Sequence, residues 1–284
     1  MKFDAKNIVI IILIILIILS IGFIAVNLFN NDSNSKDGSF LMNFDGSNSK
    51  EGSLLNSDSA SKKDSFSINQ TYPEGPTSEA KIDSSDVPSK LIGSNSLGTV
   101  EVLGPFGNTG SDVRIAYLIG MHPLESKAHK ALFDTVLSKN DSLSYCYYVY
   151  KINVSSLDDG DGRMNGQLLA QEFLAPEVIS KNYDLVVDVH SNNGMVGGTY
   201  EQTNFIFATG QDKKSEDIVY KLLSKLDKLV YYFPAQQSSP PYITLPVEQS
   251  GTPTINYETY NYEPMSTTYE LMNDFVDEVD KLEF

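Results

Sequence analysis

The sequence predicts an α/β domain on a mixed, mostly parallel sheet flanked by helices, preceded by one transmembrane helix and a disordered stalk. Three observations carry that prediction. Residues 8–26 form an apolar run interrupted only by Ser20 and Gly22. Residues 31–90 are rich in Ser, Asn, Asp, Gly and Lys, with apolar residues isolated or paired. From about residue 91 onward, strand-like and helix-like stretches alternate.

At 1.5 Å per residue the apolar run is long enough for a hydrocarbon core of ~30 Å. It exceeds the roughly 7–15 apolar residues of a cleaved leader, and no small-x-small site closes it. Lys2 and Lys6 precede it, and Asn30-Asn31-Asp32 follows. The excess of positive charge before the helix keeps the N-terminus in the cytoplasm. Residues 1–30 are therefore read as a signal anchor in the cell membrane, single-pass, with everything after it extracytoplasmic. Residues 31–90 hold too little apolar surface to offset the entropy of ordering and are read as a flexible stalk.

Residues 91–284 are enough for a single core. Strands are expected at 99–103, 113–119, 145–153, 185–190, 204–208, 229–233 and 254–257. Helices are expected at 125–137, 167–180, 213–226 and 268–281. The runs Leu185-Val186-Val187 and Ile115 to Ile119 are continuously apolar, as strands covered on both faces require. In such sheets ligands bind at the carboxyl ends of the strands.

Composition excludes several classes of function. The 284 residues carry 21 Lys plus Arg against 37 Asp plus Glu, a formal charge of −16. Such a chain presents no electrostatic footprint for nucleic acid. The single cysteine, Cys146, excludes an internal disulfide and a Cys-rich zinc site. The histidines are His122, His129 and His190. A histidine-based metal site would use nearly all of them.

Two of the three stand at predicted strand ends. The strand at 113–119 runs into Gly120-Met121-His122-Pro123-Leu124-Glu125, with His122 and Glu125 three apart in a turn where both can meet one ion. Glycine at 120 permits the sharp turn. The strand at 185–190 runs into Asp188-Val189-His190-Ser191-Asn192. Asp188 and His190, two apart, project to one face, so Asp188 can support the histidine or line the pocket beside it. His122, Glu125 and His190 make a His/Glu/His set with room for water, the open arrangement of catalytic zinc. His129, four after Glu125, is expected at the surface rather than as a fourth ligand. Asp158, Asp159 and Asp161 lack the downstream glutamate of a calcium loop.

Together these residues resemble the zinc carboxypeptidase superfamily, in particular its succinylglutamate desuccinylase/aspartoacylase branch. The resemblance covers about residues 91–260. It rests on His122-x-x-Glu125, on Asp188-x-His190-Ser191 and on a glutamate in Thr252-Pro253-Thr254-Ile255-Asn256-Tyr257-Glu258. It implies one zinc per chain held by His122, Glu125 and His190, with Glu258 as the catalytic base. Glu263 competes for that role, and Glu258 is preferred because it directly follows an apolar strand. The resemblance also implies that Arg163, in a turn-rich stretch before a helix, stabilises the oxyanion; a helix-start salt bridge is the competing reading. Asn165 and Ser191 are assigned to substrate binding. Tyr242, one of sixteen tyrosines, is the candidate for the assisting tyrosine that the resemblance implies.

The chain departs from the family in lacking an Asn-Arg dipeptide to hold a substrate carboxylate. Ordinary C-terminal trimming is therefore not expected, and an amide elsewhere in the substrate is. The function expected is a membrane-anchored, extracytoplasmic zinc-dependent amide hydrolase, a peptidase or deacylase acting on cell-envelope peptides. The alternative is a non-catalytic surface adhesin or cell-wall-binding module that keeps the fold. A deacylase of small N-acyl amino acids fits the chemistry but not the topology.

Overall fold

The computed structural model describes residues 87–195, 198–210 and 212–284, all within one compact unit, Ile68–Phe284. The predicted anchor at 1–30, and the stalk up to residue 86, lie outside the described residues. Among the described residues no helix is long and apolar enough to cross a membrane.

Eight strands form one mixed sheet in the order β1-β2-β4-β3-β5-β8-β6-β7. They are β1 (Ser89–Asn95), β2 (Gly98–Gly107), β3 (Arg114–Ile119), β4 (Cys146–Val154), β5 (Leu185–Asn192), β6 (Phe205–Ala208), β7 (Val230–Tyr231) and β8 (Thr254–Tyr260). The centre, β4-β3-β5-β8, is parallel throughout, whereas β1 and β2 on one side and β6 on the other join antiparallel. The mixed, mostly parallel sheet of the prediction is thus present. All eight residues of β5 are buried, as its apolar run requires.

Helices cover both faces: α1 (Ser126–Ser138), α2 (Asp159–Leu169), α3 (Ala175–Lys181), α4 (Lys213–Leu223), α5 (Thr244–Gln249) and α6 (Met265–Val279). On one face Ala128 and Leu132 of α1, Val219 and Leu222 of α4, and Leu271 and Phe275 of α6 pack with Val187, Val189, Ile255 and Tyr257. On the other, Leu169 of α2, Val178 of α3 and Val247 of α5 pack with Ala116, Leu118 and Val186. At ~25 cal/mol per Å² of apolar area, burial on both faces is the main favourable term in folding.

The structure departs from the sequence expectations where local composition misleads. Strand β1 begins at Ser89, two residues ahead of the boundary placed at 91, because its edge position leaves most of it exposed. Helix α2 begins at Asp159, although its Gly160 and Gly162 read as a turn. Asp158 caps it by accepting hydrogen bonds from the Gly160 and Asp161 amides. A π-helical turn, Ala170–Leu174, then joins α2 to α3. The short α5 has no counterpart among the expected helices. His129, expected at the surface, is 3% exposed, and its Nε2 lies 3.1 Å from the Val189 carbonyl oxygen.

Candidate metal centre

Strand β3 delivers the first two candidate ligands. Gly120 has φ +86°, and a Cβ there would lie 2.1 Å from the Ile152 carbonyl oxygen, so only glycine lets the chain turn so close to β4. His122 follows in extended backbone, and Pro123 opens a single 3₁₀ turn that ends in Glu125. Strand β5 brings His190 beside them. His122 Nδ1 lies 2.9 Å from Glu125 Oε1, and His190 Nδ1 lies 2.8 Å from Glu125 Oε2. The imidazole centroids are 4.7 Å apart, and all three side chains are buried. One ligand atom from each falls within 4.8 Å of the others.

This donor set fits a divalent ion. Two imidazole nitrogens and a carboxylate lie close enough together to share one ion, and three protein ligands would leave a position for water. The far nitrogen of each ring also meets a supporting group. His190 Nε2 lies 2.9 Å from Asp188 Oδ2, an ion-pair distance at an angle too poor for a hydrogen bond. His122 Nε2 lies 3.3 Å from the amide nitrogen of Gln167, which in turn reaches Ser238 Oγ at 2.9 Å. Were Nδ1 of each ring to ligate an ion, Nε2 would carry the proton, and a Gln167 amide turned over would accept that of His122 through its oxygen.

The electrostatics follow from burial and proximity. Burial raises Glu125, but the two imidazoles outweigh it and hold the carboxyl well below its ordinary value. For His190, burial acts downward, and Asp188 and Glu125 outweigh it to lift the ring well above the ordinary value. His122 is lowered, chiefly by burial. Glu258 is pushed up to about 8, mostly by burial with Glu125 adding, against the opposing pull of His190, Asn192 and Arg163.

Glu258 is the partner of His190 in the β5–β8 ladder, and its Oε2 accepts a hydrogen bond from Asn192 Nδ2 at 3.2 Å. Its competitor Glu263 is half-buried and accepts from Asn204 Nδ2 and Thr268 Oγ1, fastening the turn before α6. Arg163 is on α2, in a helix rather than a turn-rich loop, and its Nη1 lies 3.2 Å from Glu125 Oε1. Helix α2 reaches this far because Gly166 sits against the Met121 carbonyl, where a Cβ would be 1.8 Å from the oxygen. Ser191 donates its amide to Glu125 Oε2 at 3.2 Å. Asn165, although on α2, is not among the cleft-lining residues. Tyr242 instead sets its hydroxyl 3.8 Å from Met164 Sδ.

A cleft of about 400 Å³ opens over the cluster, lined by His122, Glu125, Arg163, Ser191, Asn192, Asn193, Thr199, Tyr200, Asn261 and Tyr262, among others. Sequence reasoning missed Gln167, Asn192, Tyr200 and Asn261. Gln167 was detectable: it lies four residues after Arg163, so once that stretch is read as helix the two share a face. Both reach Ser238 Oγ. Tyr200 and Asn261 come from loops and carried no local signal.

No family model matches the chain, and no curated protein matches it. Solved structures do. A candidate carboxypeptidase from Burkholderia mallei superposes with a TM-score of 0.50 at 10% identity, over 68% of this chain and 62% of its own. A metallo-carboxypeptidase from Burkholderia cenocepacia gives 0.49 at 10% identity over 68% and 63%. A metallo-carboxypeptidase from Pseudomonas aeruginosa, in complex with (2-guanidinoethylmercapto)succinic acid, gives 0.45 at 11% identity over 68% and 64%. The chain spans less than two-thirds of these neighbours. The likeness is one of fold, metallo-carboxypeptidase-like, and does not single out the succinylglutamate desuccinylase/aspartoacylase branch.

Proposed function

We propose that this chain is a zinc-dependent hydrolase of amide or peptide bonds. The observation that carries the proposal is the convergence of His122 Nδ1 and His190 Nδ1 on the two oxygens of Glu125, beside a buried Glu258. Bound zinc supplies Lewis acidity and a water of lowered pKa. Glu258 accepts the proton of the attacking water. The water oxygen bonds to the carbonyl carbon, the C–N bond breaks, and Glu258 returns the proton to the departing amine. Asn192 holds Glu258 in place. The Arg163 guanidinium, already against the ligand set, donates to the carbonyl oxygen as it gains charge. Asp188 and Gln167 orient the two imidazoles. A pure binding module has no use for a buried carboxylate at this place, which opposes the adhesin alternative.

We place the enzyme outside the cytoplasm, tethered by residues 8–26 and spaced by the stalk, with cell-envelope peptides as its substrate class. The apolar run and the Ser/Asn-rich segment support that reading. Purified protein is expected to hold about one zinc per chain and to release amines from isolated envelope peptides. Glu258→Gln should keep the metal and lose the hydrolysis. Hydrolysis undiminished in that variant would overturn the mechanism. Protease added to intact cells should remove the domain; protection would overturn the topology.

A further inference from the structure

Beyond the ligand set, one wall of the cleft is made of uncharged hydrogen-bonding groups, fixed where the ends of β5 and β8 run side by side. Ser191 Oγ donates to Asn261 Oδ1 at 3.3 Å, and Asn261 Nδ2 donates to Asn193 Oδ1 at 3.4 Å. The Asn261 main chain is held as well. Lys127 Nζ donates to its carbonyl oxygen at 2.8 Å and also to that of Glu263. The charge of Lys127 is thus directed at backbone rather than at the cleft. Tyr200 and Tyr262 complete the lining.

Among the described lining residues Arg163 is the one lysine or arginine, and its Nη1 rests 3.2 Å from Glu125 Oε1. Its charge therefore stands against the candidate ligand set rather than beside the asparagine wall. A carboxylate offers acceptors only and loses its hydration in a cleft without a free cation. A peptide amide offers both a donor and an acceptor, and so does each asparagine side chain.

We propose that the cleft takes an internal amide of a peptide whose groups next to the cleaved bond are uncharged, with Asn193 and Asn261 reading the neighbouring main-chain amide. This deepens the hydrolase reading and rests on it. Lys127 is a positioning residue that acts through Asn261.

The test uses the full-length zinc-loaded protein and two probes, N-acetyl-tetra-alanine amide and the corresponding free acid. Hydrolysis is measured with the natural sequence, and binding by calorimetry with Glu258→Gln. The amide probe should be preferred in both. Asn261→Ala and Asn193→Ala should each raise its KM, and its Kd in the Glu258→Gln background, by up to about tenfold. They should leave kcat and zinc content unchanged and narrow the preference over the acid. Lys127→Met should shift KM in the same direction, with partial rescue by Lys127→Arg. Equal or better use of the free acid overturns the inference, as does an asparagine variant with unchanged KM. If neither probe is hydrolysed but Glu258→Gln binds the amide probe selectively, the hydrolase reading falls, the part of the inference that concerns the cleaved bond falls with it, and recognition of an uncharged amide by Asn193 and Asn261 stands. If Glu258→Gln binds neither probe, the inference falls.

Discussion

The adjacent strands β5 and β8 present two faces that share one backbone and nothing else. On one, Val187, Val189, Ile255 and Tyr257 pack against α1, α4 and α6. On the other, reached by the alternate residues, Asp188, His190 and Asn192 stand beside Asn256 and Glu258. Every one of these polar residues is buried. Burying polar and charged groups costs free energy that their pairing offsets in part, whereas burying apolar area gains it. The period of two therefore divides the strands into an apolar face and a face that begins in the second core at Val186 and turns polar towards the strand ends. The second face carries the candidate metal centre.

The largest expected effects separate the two faces. On the polar face, Glu258→Gln should lower kcat by about 10²–10⁴-fold while zinc content and melting temperature stay near those of the natural protein. On the apolar face, Phe275→Ala removes a fully buried ring that sits 4.5 Å from Tyr257, and should cost about 3–5 kcal/mol in urea unfolding. Its zinc stoichiometry should remain at one. Loss of metal in the Phe275 variant, while it is still folded, would mean that the two faces are not separable.

A smaller effect concerns the support of His122. Gln167→Ala should weaken zinc affinity by roughly 10–100-fold in competition with a chelator, with the fold intact. Unchanged affinity would remove Gln167 from the site and leave it a packing residue of α2.

The two ends of this contrast were unequally legible in the sequence. His122, Glu125 and His190 could be read because strand ends announce themselves by apolar runs and turns, and metal chemistry restricts the side chains that follow. The apolar face could be read from the same runs. Helix α2 could not, since Gly160, Gly162 and Gly166 argue against a helix by propensity. A local factor, the Asp158 cap, and a non-local one, the close approach of Gly166 to Met121, override it. Asn165 was named and Gln167 overlooked for the same reason, because the facing side of a helix matters only once the helix is known. Tyr200 and Asn261 depend on where two loops meet, which no local pattern encodes. His129 was misplaced because four residues after Glu125 fixes a helix face but not what covers it.

The smallest effect tests the electrostatics of the two faces in metal-free protein, where they carry opposite signs. On the apolar side, burial lowers His129 from its ordinary 6.5 to about 4. Between those values the unfolded chain binds more protons, so this histidine stabilises the fold above pH 6.5, and that stability is lost as pH falls towards 4. On the polar side, Glu258 is raised from its ordinary 4.5 to about 8. Here the native state binds more protons, so stability declines as pH rises through that window. The difference in stability between the natural chain and His129→Leu, and separately Glu258→Gln, should change with pH in opposite directions. Each slope is at most about 1.4 kcal/mol per pH unit. Parallel slopes would refute the account in which burial holds His129 deprotonated and Glu258 protonated in the native state.

The central claim is that His122, Glu125 and His190 hold a catalytic metal. Elemental analysis after equilibration with zinc and removal of excess tests it most directly, on the natural protein and on His190→Asn confirmed as folded by circular dichroism. About one zinc per chain is expected in the first and almost none in the second. A natural protein that retains no zinc, or a His190→Asn variant that retains it in full, would contradict it.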